Sequence, residues 1–145
     1  MTDVLTPSER RRNMRAIRAK DTNPEIVVRR ALHRLGYRFR LHADDLPGKP
    51  DVVLPKYETV IRVHGCFWHR HHGCRYTTTP RTRPEFWEAK FAGNVARDAR
   101  TERRLRRGGW RVLTVWECET RRPETLAHRL DRLLQRSRAS LQCKA

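Results

Sequence analysis

The stretch that decides the fold of this chain is His64-Gly65-Cys66-Phe67-Trp68-His69-Arg70-His71-His72-Gly73-Cys74. It places two thiols, four imidazoles and two large aromatic rings side by side, a composition that a packed apolar core does not need. Cys66 and Cys74 bracket His71 and His72, a spacing that suits a zinc ion bound by sulfur and nitrogen. Phe67 shares this short loop with the adjacent tryptophan, so a bound metal would present two rings together, as surfaces that stack on flat partners do.

The charge of the whole chain predicts a polyanionic partner. Its 145 residues fit one compact domain, and 33 Lys plus Arg against 16 Asp plus Glu give a net charge of +17. Nucleic acid is the first candidate. An anionic membrane surface is the alternative, but the sequence has no amphipathic anchor and no long apolar run. The first residues lack the apolar core of a signal peptide, and the cysteines cluster with histidines, so we expect metal binding in a reducing cytoplasm rather than disulfides.

Residues 1–20 predict a basic N-terminal arm. Thr6 and Glu9 have the spacing of a capping box, and a short helix should follow to about Ala19. Its apolar surface is one small pair, Met14 and Ile17, too little to anchor it in a core. The basic residues around that pair are Arg10, Arg11, Arg12, Arg15, Arg18 and Lys20. A solvated basic face is one interpretation, and an arm that lies on DNA with the apolar pair facing the bases is the other, which we favour.

The rest of the chain predicts helices and strands that belong to the α/β class. A first helix should begin near Asn23, which can act as its cap, and end at Gly36. The further helices are expected at about 83–107, ended by Gly108 and Gly109, and at 123 to about 136. The predicted strands are 37–41, 51–54, 57–63 and 110–116, the last three central in the sheet. Residues 139–145 are expected to form a loose tail.

The long helix offers two candidate faces. Thr82 and Glu85 have capping-box spacing at its start. The face expected to pack on the core consists of Phe86, Ala89, Gly93 and Ala96. The opposite face consists of Trp87, Lys90, Asn94 and Asp98. A solvated polar face would explain the charged residues there, but not an exposed Trp87, which could instead belong to the core because tryptophan is usually buried.

Two single residues indicate metal chemistry outside the central stretch. Asp51 follows Pro50 at the start of a buried strand, where a carboxylate is costly to bury unless it is paired or binds a cation. A simple turn aspartate is the alternative, but the metal-rich loop one hairpin away favours a cation ligand. Cys118 comes off the end of strand 110–116, which could neighbour strand 57–63, so it could complete a Cys-His-Cys…Cys site.

Three separate motifs resemble one family over about residues 8–120. They are Arg12–Ile17 with Lys20–Glu25, Cys66–His69, and Gly109–Cys118. All three look like the very-short-patch repair endonucleases, the bacterial enzymes that nick DNA at T·G mismatches. The resemblance implies a restriction-endonuclease-like core, with a mixed central β-sheet flanked by helices, and the product would be a nick 5′ of the mispaired T with a 5′-phosphate and a 3′-hydroxyl.

The resemblance also implies an active site. Asp51 matches the metal-binding aspartate, so Mg²⁺ would bind its carboxylate and the backbone carbonyl of Val63. His69 matches the catalytic histidine, a suitable base for the attacking water, and Asp98 would orient it. The accessory active-site positions are His64 and Glu25.

A structural zinc ion is implied at Cys66, His71, Cys74 and Cys118, with no open coordination position. The chain departs here from the commoner family spacing, because Gly73 adds a residue before the second cysteine. Counting from Cys66 makes His71 the ligand, and counting back from Cys74 makes it His72. We prefer His71, because the added glycine can absorb the slack.

Mismatch recognition is implied as well. Phe67, Trp68 and Trp87 would wedge beside the T·G pair from the major groove, with Lys90 and Asn94 touching the mispaired edges. On the arm, Met14 and Ile17 would close from the minor groove, and phosphate contacts would come from Arg10, Arg11, Arg12 and Arg15. The expected partners are double-stranded DNA with a T·G mismatch and possible mismatch-repair proteins, and the expected state is a monomer near the bacterial nucleoid.

A zinc-clipped DNA binder and a nuclease that makes double-strand breaks are the alternatives. The first would not need Asp51, His69 and Asp98 together, and one chain with an enclosing arm argues for a single nick.

Overall fold

A computed structural model of the chain describes the backbone of residues 22–143 and the side chains of residues 22–136. The predicted arm at 1–20 lies outside the described residues. So do its proposed DNA contacts, which are Arg10, Arg11, Arg12, Met14, Arg15 and Ile17. In the described part of the chain, no helix is both long and apolar enough to cross a membrane.

The described chain is an α/β fold with one mixed sheet, as predicted. Its strands are β1 (Arg40–Leu41), β2 (Val52–Leu54), β3 (Thr59–His64) and β4 (Arg111–Trp116), in the spatial order β1-β2-β3-β4. The first three strands pair antiparallel, and β3 pairs parallel with β4 from Thr59↔Arg111 to His64↔Trp116. The helices are α1 (Asn23–Leu35), α2 (Pro84–Arg107) and α3 (Pro123–Cys143). The parallel pair brings the ends of β3 and β4 to one edge of the sheet, where the functional residues follow.

The two faces of the sheet are covered very differently. Strand alternation sends one set of side chains towards α1 and α3 and the other set towards α2. The larger core contains, among others, Val28, Leu32, Val52, Leu54, Ile61, Val115, Leu126, Leu130 and Leu134. Within the described part of the chain, the cluster on the other face has four buried members, Ala43, Val53, Val60 and Leu105. The α2 face therefore has room for polar and aromatic groups, and the candidate site lies there.

Several predicted element ends need correction. The cap of α1 is Thr22 rather than Asn23, and its hydroxyl lies 3.5 Å from the Glu25 nitrogen. Strand 37–41 reduces to β1, because Tyr37 and Phe39 pack against the larger core. Strand 57–63 begins only at Thr59, because residues 55–57 form a short 3-10 turn. In the described sheet β4 is an edge strand rather than a central one. Helix α3 continues past 136 to Cys143, so residues 139–143 of the expected loose tail have helical backbone.

The face prediction for α2 was wrong. The residues expected to face the core, Phe86, Ala89, Gly93 and Ala96, are all exposed, and Phe86 is 53% exposed. The inward side instead carries the buried Phe91 and Leu105, with Trp87, Asn94 and Asp98 partly buried beside them. The expected capping box is also not formed, since Arg83 occupies the cap position without a side-chain hydrogen bond. The aromatic and polar stripe points inward because it meets the 64–74 loop rather than a large apolar core.

Two contacts fix α2 against the sheet. Gly48 lies at φ +71, and a β-carbon there would overlap the Thr101 methyl group, so glycine permits the 46–50 turn to approach the helix. From β3, Arg62 Nη1 donates to the Asp98 carbonyl at 3.0 Å and Nη2 donates to Thr114 Oγ1 at 3.2 Å. One guanidinium therefore joins β3, β4 and α2 beside the site.

Candidate active site

The end of β3 organises the site, because consecutive residues there contact different elements. Arg62 contacts α2, as described above. The backbone N–H of Val63 donates to Asp51 Oδ2 at 2.7 Å, which holds the aspartate that precedes β2. His64 then reaches the residues of the following loop. The predicted catalytic residues therefore meet around the last residues of one strand.

The first group is an acidic pocket formed by Glu25, His42 and Asp51, whose ligand atoms lie within 4.8 Å of one another. Burial raises the pKa of Asp51 to about 6; the Val63 N–H opposes this rise and the nearby Glu25 carboxylate adds to it. Arg29 closes the pocket, with Nη2 lying 3.2 Å from Glu25 Oε2 and 2.9 Å from His42 Nε2.

The donor set of this pocket fits a hard divalent cation. Two carboxylates offer the oxygen ligands that Mg²⁺ prefers, and a cation beside them would oppose the rise that burial causes in the pKa of Asp51. Asp51 and Glu25 are the residues that would hold such an ion. The role of the Val63 carbonyl stays a prediction.

Sequence reasoning missed two residues at this pocket, Arg29 and His42. Arg29 could have been found, because it follows Glu25 by four residues and so shares its helix face. His42 gave no comparable signal. Its backbone lies at φ +46, in the left-handed region, and this turn brings the imidazole within 3.8 Å of Glu25 Oε2.

The second group consists of His64, His69 and Asp98. His69 Nδ1 and Asp98 Oδ2 are 2.6 Å apart, so Nδ1 is assigned the proton and Nε2 the lone pair. The His64 ring stacks on the His69 ring at 3.8 Å between centroids and 7° between planes. The Trp116 ring packs edge-on against His64, with 5.4 Å between the ring centroids and 75° between the planes. Burial lowers the pKa of His64 to about 3, and the neighbouring His69 and Arg62 add to this effect. A neutral ring therefore packs on a ring that a carboxylate orients.

The third group is the metal clip, which we define as Cys66, His71, Cys74 and Cys118. All four ligand atoms lie within 4.8 Å of one another. His71 Nδ1 is 3.7 Å from Cys66 Sγ and 3.5 Å from Cys118 Sγ. A tetrahedral zinc site with ordinary bond lengths has sulfur and nitrogen about 3.6 Å apart. Burial raises the pKa of Cys66 to about 12, so a thiolate there requires a cation. The donor set thus fits zinc, whereas His72 is exposed and outside the clip.

The clip has supports that the sequence did not reveal. The Trp116 ring stacks on His71 at 4.2 Å and 7°, so one tryptophan contacts both the clip and His64. The Thr77 hydroxyl donates to the His71 carbonyl at 2.7 Å. Trp116 ends β4, where strand alternation alone would predict a core position for its side chain. Nothing in the sequence spacing predicted its contacts with His64 and His71.

An aromatic cluster lies beside these groups, formed by Phe67, Trp68, Phe86, Trp87 and Phe91. Trp68 contacts Phe67 at 4.9 Å and Trp87 at 5.9 Å between centroids. Trp87 also contacts Phe91 at 5.6 Å and Phe86 at 5.4 Å. Phe91 is buried, Phe86 is exposed, and the remaining three rings are partly exposed. The structure therefore brings together the three rings predicted to wedge into DNA, and adds two that sequence reasoning assigned otherwise or missed.

Polar residues hold the cluster in place. Asn94 Nδ2 donates to the Trp68 carbonyl at 3.1 Å, so the amide positions the loop in this structure. Lys90 Nζ lies 5.9 Å from the Trp68 ring centroid. The Arg70 guanidinium stacks 4.0 Å above the Phe91 ring. Because the rings are held from several sides, their surface is preorganised for binding.

Comparisons with known proteins agree on one family. The family model described as "DNA mismatch endonuclease Vsr" matches residues 2–75. A Xanthomonas oryzae protein named "Type II nicking enzyme V.XorIIP" is 50% identical over 137 residues, which are 94% of this chain and 100% of that protein. "DNA mismatch endonuclease Vsr" of Escherichia coli is 48% identical over 126 residues, 87% of this chain and 80% of its own length. A Neisseria meningitidis protein, "Type II nicking enzyme V.NmeAIP", is 41% identical over 135 residues, 93% and 96%.

Proposed function

Since the chain belongs to the Vsr family of DNA mismatch endonucleases, as the sequence motifs predicted, we propose that it nicks DNA 5′ of the T in a T·G mispair and requires Mg²⁺. The family makes the chain a DNA endonuclease; the mispair and the metal are our inference. The proposal rests on one observation. The His69 ring, which is paired with Asp98, stacks on the ring of His64. His64 directly follows Val63, whose backbone N–H donates to Asp51. We also propose that the mixed sheet and its helices form a restriction-endonuclease-like core.

His69 supplies the base. Its Nδ1 proton is directed to Asp98 Oδ2, so Nε2 is free to take a proton from the attacking water. The carboxylate stabilises the imidazolium that forms, and Asp98 is itself held through its carbonyl by Arg62. When bound at Asp51 and Glu25, Mg²⁺ would supply stabilisation of negative charge on the phosphate.

His64 provides an uncharged packing surface for the His69 ring. Its ring lies parallel to His69, and Trp116 packs behind it, so the His69 ring has one fixed plane and one face shielded from water. A charged ring at this position would oppose protonation of His69. The low pKa of His64 means that its imidazole stays neutral across the working pH range.

The aromatic cluster supplies recognition in this proposal. Phe67, Trp68 and Trp87 would stack beside the mispair, at about 1–3 kcal/mol per base. This offsets an unstacking cost of a few kcal/mol, which is smallest at a mispair. Lys90 and Asn94 lie next to these rings and would contact the mispaired edges. The basic arm would close from the minor groove.

The metal clip has a structural role in this proposal, with zinc as the ion. Four protein ligands leave no open position for a substrate. Three described free cysteines require a reducing compartment, so we place the enzyme in the bacterial cytoplasm, with the DNA of the nucleoid. We further propose a monomer, which suits a single nick, and mismatch-repair proteins as partners.

The test is a nicking assay with end-labelled duplexes that differ only in one pair, T·G or C·G. We expect a single nick 5′ of the mispaired T, dependent on added Mg²⁺, and no cleavage of the C·G duplex. Analysis of the product ends should show 5′-phosphate and 3′-hydroxyl. Cleavage of both strands, or equal rates on the two duplexes, would contradict the proposal.

His69→Ala should lower the nicking rate by about 10²–10⁴-fold, the loss typical when a general base is removed. DNA binding should be nearly unchanged, because the base contacts the attacking water rather than the duplex. His72→Ala is the matched control, since His72 is exposed three residues further on and belongs to neither histidine group. Single-turnover rates separate chemistry from binding. If His69→Ala lost less than tenfold, the base would lie elsewhere.

A further inference from the structure

The outward side of α2 carries a row of basic residues, of which the proposed site uses only the first, Lys90. At 100° per residue, one arc of about 100° contains every one of them. The members of this row are Lys90, Arg97, Arg100, Arg104 and Arg107. No Asp or Glu falls within the arc: the acids of α2, Glu85, Glu88, Asp98 and Glu102, all lie on the other side of the helix. The arc therefore carries only cations, whereas the other side of the helix mixes Arg103 and Arg106 with the four acids. A face that is merely solvated usually shows the mixed pattern.

The row is exposed and faces solvent. All five members are exposed, and among the described residues none of them forms an ion pair with a carboxylate. Arg106, on the acidic side of the same helix, shows the contrast, because its Nη2 lies 3.1 Å from Glu102 Oε1. Five cations along one line repel one another in the free protein. Such an arrangement favours a polyanion as the partner.

The row begins at the aromatic cluster. Lys90 Nζ lies 5.9 Å from the Trp68 ring, and Phe86, 53% exposed, occupies the same side of the helix. Between them and Arg97 the surface is flat, because Ala89 and Gly93 are small and exposed. A β-carbon at Gly93 would meet nothing within 4 Å in the described structure, so packing does not explain a glycine inside this helix. Close approach of an external backbone would explain it.

The length of the row matches a duplex. From Lys90 to Arg107 the helix rises about 26 Å, which spans about seven phosphates of one DNA strand at 3.4 Å spacing. We propose that this basic row is a second DNA-contact surface, whose four arginines bind the backbone phosphates of the duplex on one flank of the mismatch. This inference rests on the proposed function, because it takes the aromatic cluster as the place where the mispair is held. Contacts to phosphate carry no base preference, so the row adds affinity and orientation but not specificity.

The test compares two double variants with the same change of charge on the same helix. Arg97→Gln/Arg104→Gln alters the row, and Arg103→Gln/Arg106→Gln alters the acidic side. Binding is measured without Mg²⁺ as a function of salt, on T·G and C·G duplexes. We expect the row variant to make the slope of log affinity against log salt shallower by about 1.8, since each phosphate contact contributes about 0.9. The control should change it by less than half as much, and both effects should be equal on the two duplexes.

A second measurement locates the contact. Duplexes shortened on one flank or the other should show that wild-type affinity falls more when one particular flank is removed. The row variant should lose this asymmetry, and the control should keep it. Thermal melts that agree between the two variants exclude misfolding. Equal slope changes in the two variants, or flank asymmetry that persists in the row variant, would overturn the inference. Failure of the proposed function would appear differently, as wild-type protein that binds DNA with the expected slope but does not nick T·G.

Discussion

Asp51→Asn should abolish nicking and at the same time stabilise the metal-free protein. The activity loss follows because the substitution removes the carboxylate that would hold the catalytic cation, and loss of a single charge-stabilising group costs at least about 10²–10³-fold. The rise in stability follows from burial. The aspartate is held by the Val63 N–H but lies against Glu25, so its ionisation is opposed by the folded state.

The sign of this effect depends on pH. The pKa of Asp51 rises from 3.8 in an unfolded chain to about 6 in the folded protein. The contribution of the protonated carboxyl to stability is therefore fully present below about pH 4 and is lost as the pH rises through 6. Above that, ionisation costs about 2–3 kcal/mol, which an asparagine does not pay. The melting temperature of Asp51→Asn should exceed that of wild type above pH 6 and approach it near pH 4.

Calorimetry with and without Mg²⁺ checks both parts of this prediction. The ion should raise the melting temperature of wild type at pH 7 to 8, because it binds only the folded state, and should leave Asp51→Asn unchanged. Asp45→Asn is the control, since Asp45 is exposed and pairs only with Arg40 among the described residues. Equal stabilisation of all three proteins by Mg²⁺ would place the cation elsewhere.

The second large effect is expected at the metal clip. His71→Ala and Cys118→Ser should each lose bound zinc and unfold largely or completely. Structural zinc contributes about 10–16 kcal/mol in small zinc-binding peptides, which equals or exceeds the stability of a typical domain. The clip also joins the end of β4 to the loop after β3, so losing it frees both.

The neighbouring histidine is the control for this experiment. His72→Ala should retain about one equivalent of zinc per chain and a wild-type melt, because His72 is exposed and outside the clip. Metal analysis of purified protein, prepared without added zinc, reads out the stoichiometry. The reverse pattern, with zinc lost from His72→Ala and kept by His71→Ala, would move the ligand by one position.

Local signals predicted the elements but not how they face one another. Gly36 and the paired glycines 108 and 109 correctly ended two helices, and the expectation that strand 110–116 could neighbour strand 57–63 was confirmed by the pair β3–β4, whose parallel direction had not been predicted. The orientation of α2 was not, because its faces were ranked by apolar content while its neighbour is a loop of histidines and rings. The sequence cannot show which partner a face will meet. Prediction succeeded where one segment decides the outcome.

The same distinction, between residues of one segment and residues from distant segments, applies to the candidate site. Three of the four clip residues and the proposed catalytic histidine lie within one short stretch, so their proximity was implied by spacing and family resemblance. His42 and Trp116 come from distant segments and were missed. One depends on a left-handed turn at φ +46, and the other on the parallel register that sets His64 opposite Trp116. Neither the turn nor the register has a sequence signal strong enough to place a side chain.

The position of His69 inside the clip has a practical consequence. His69 follows Cys66 by three residues and precedes His71 by two, so the ligands close a loop that contains the proposed base. With both proposed metals bound, a strong chelator would act on the enzyme twice. It would withdraw the proposed catalytic cation quickly and reversibly, and it would remove the proposed zinc from the clip more slowly, which would release His69 from Asp98. The activity lost in EDTA would therefore not measure the magnesium requirement. Only the part that returns on adding Mg²⁺ alone belongs to catalysis, and the part that needs zinc and refolding belongs to the loop.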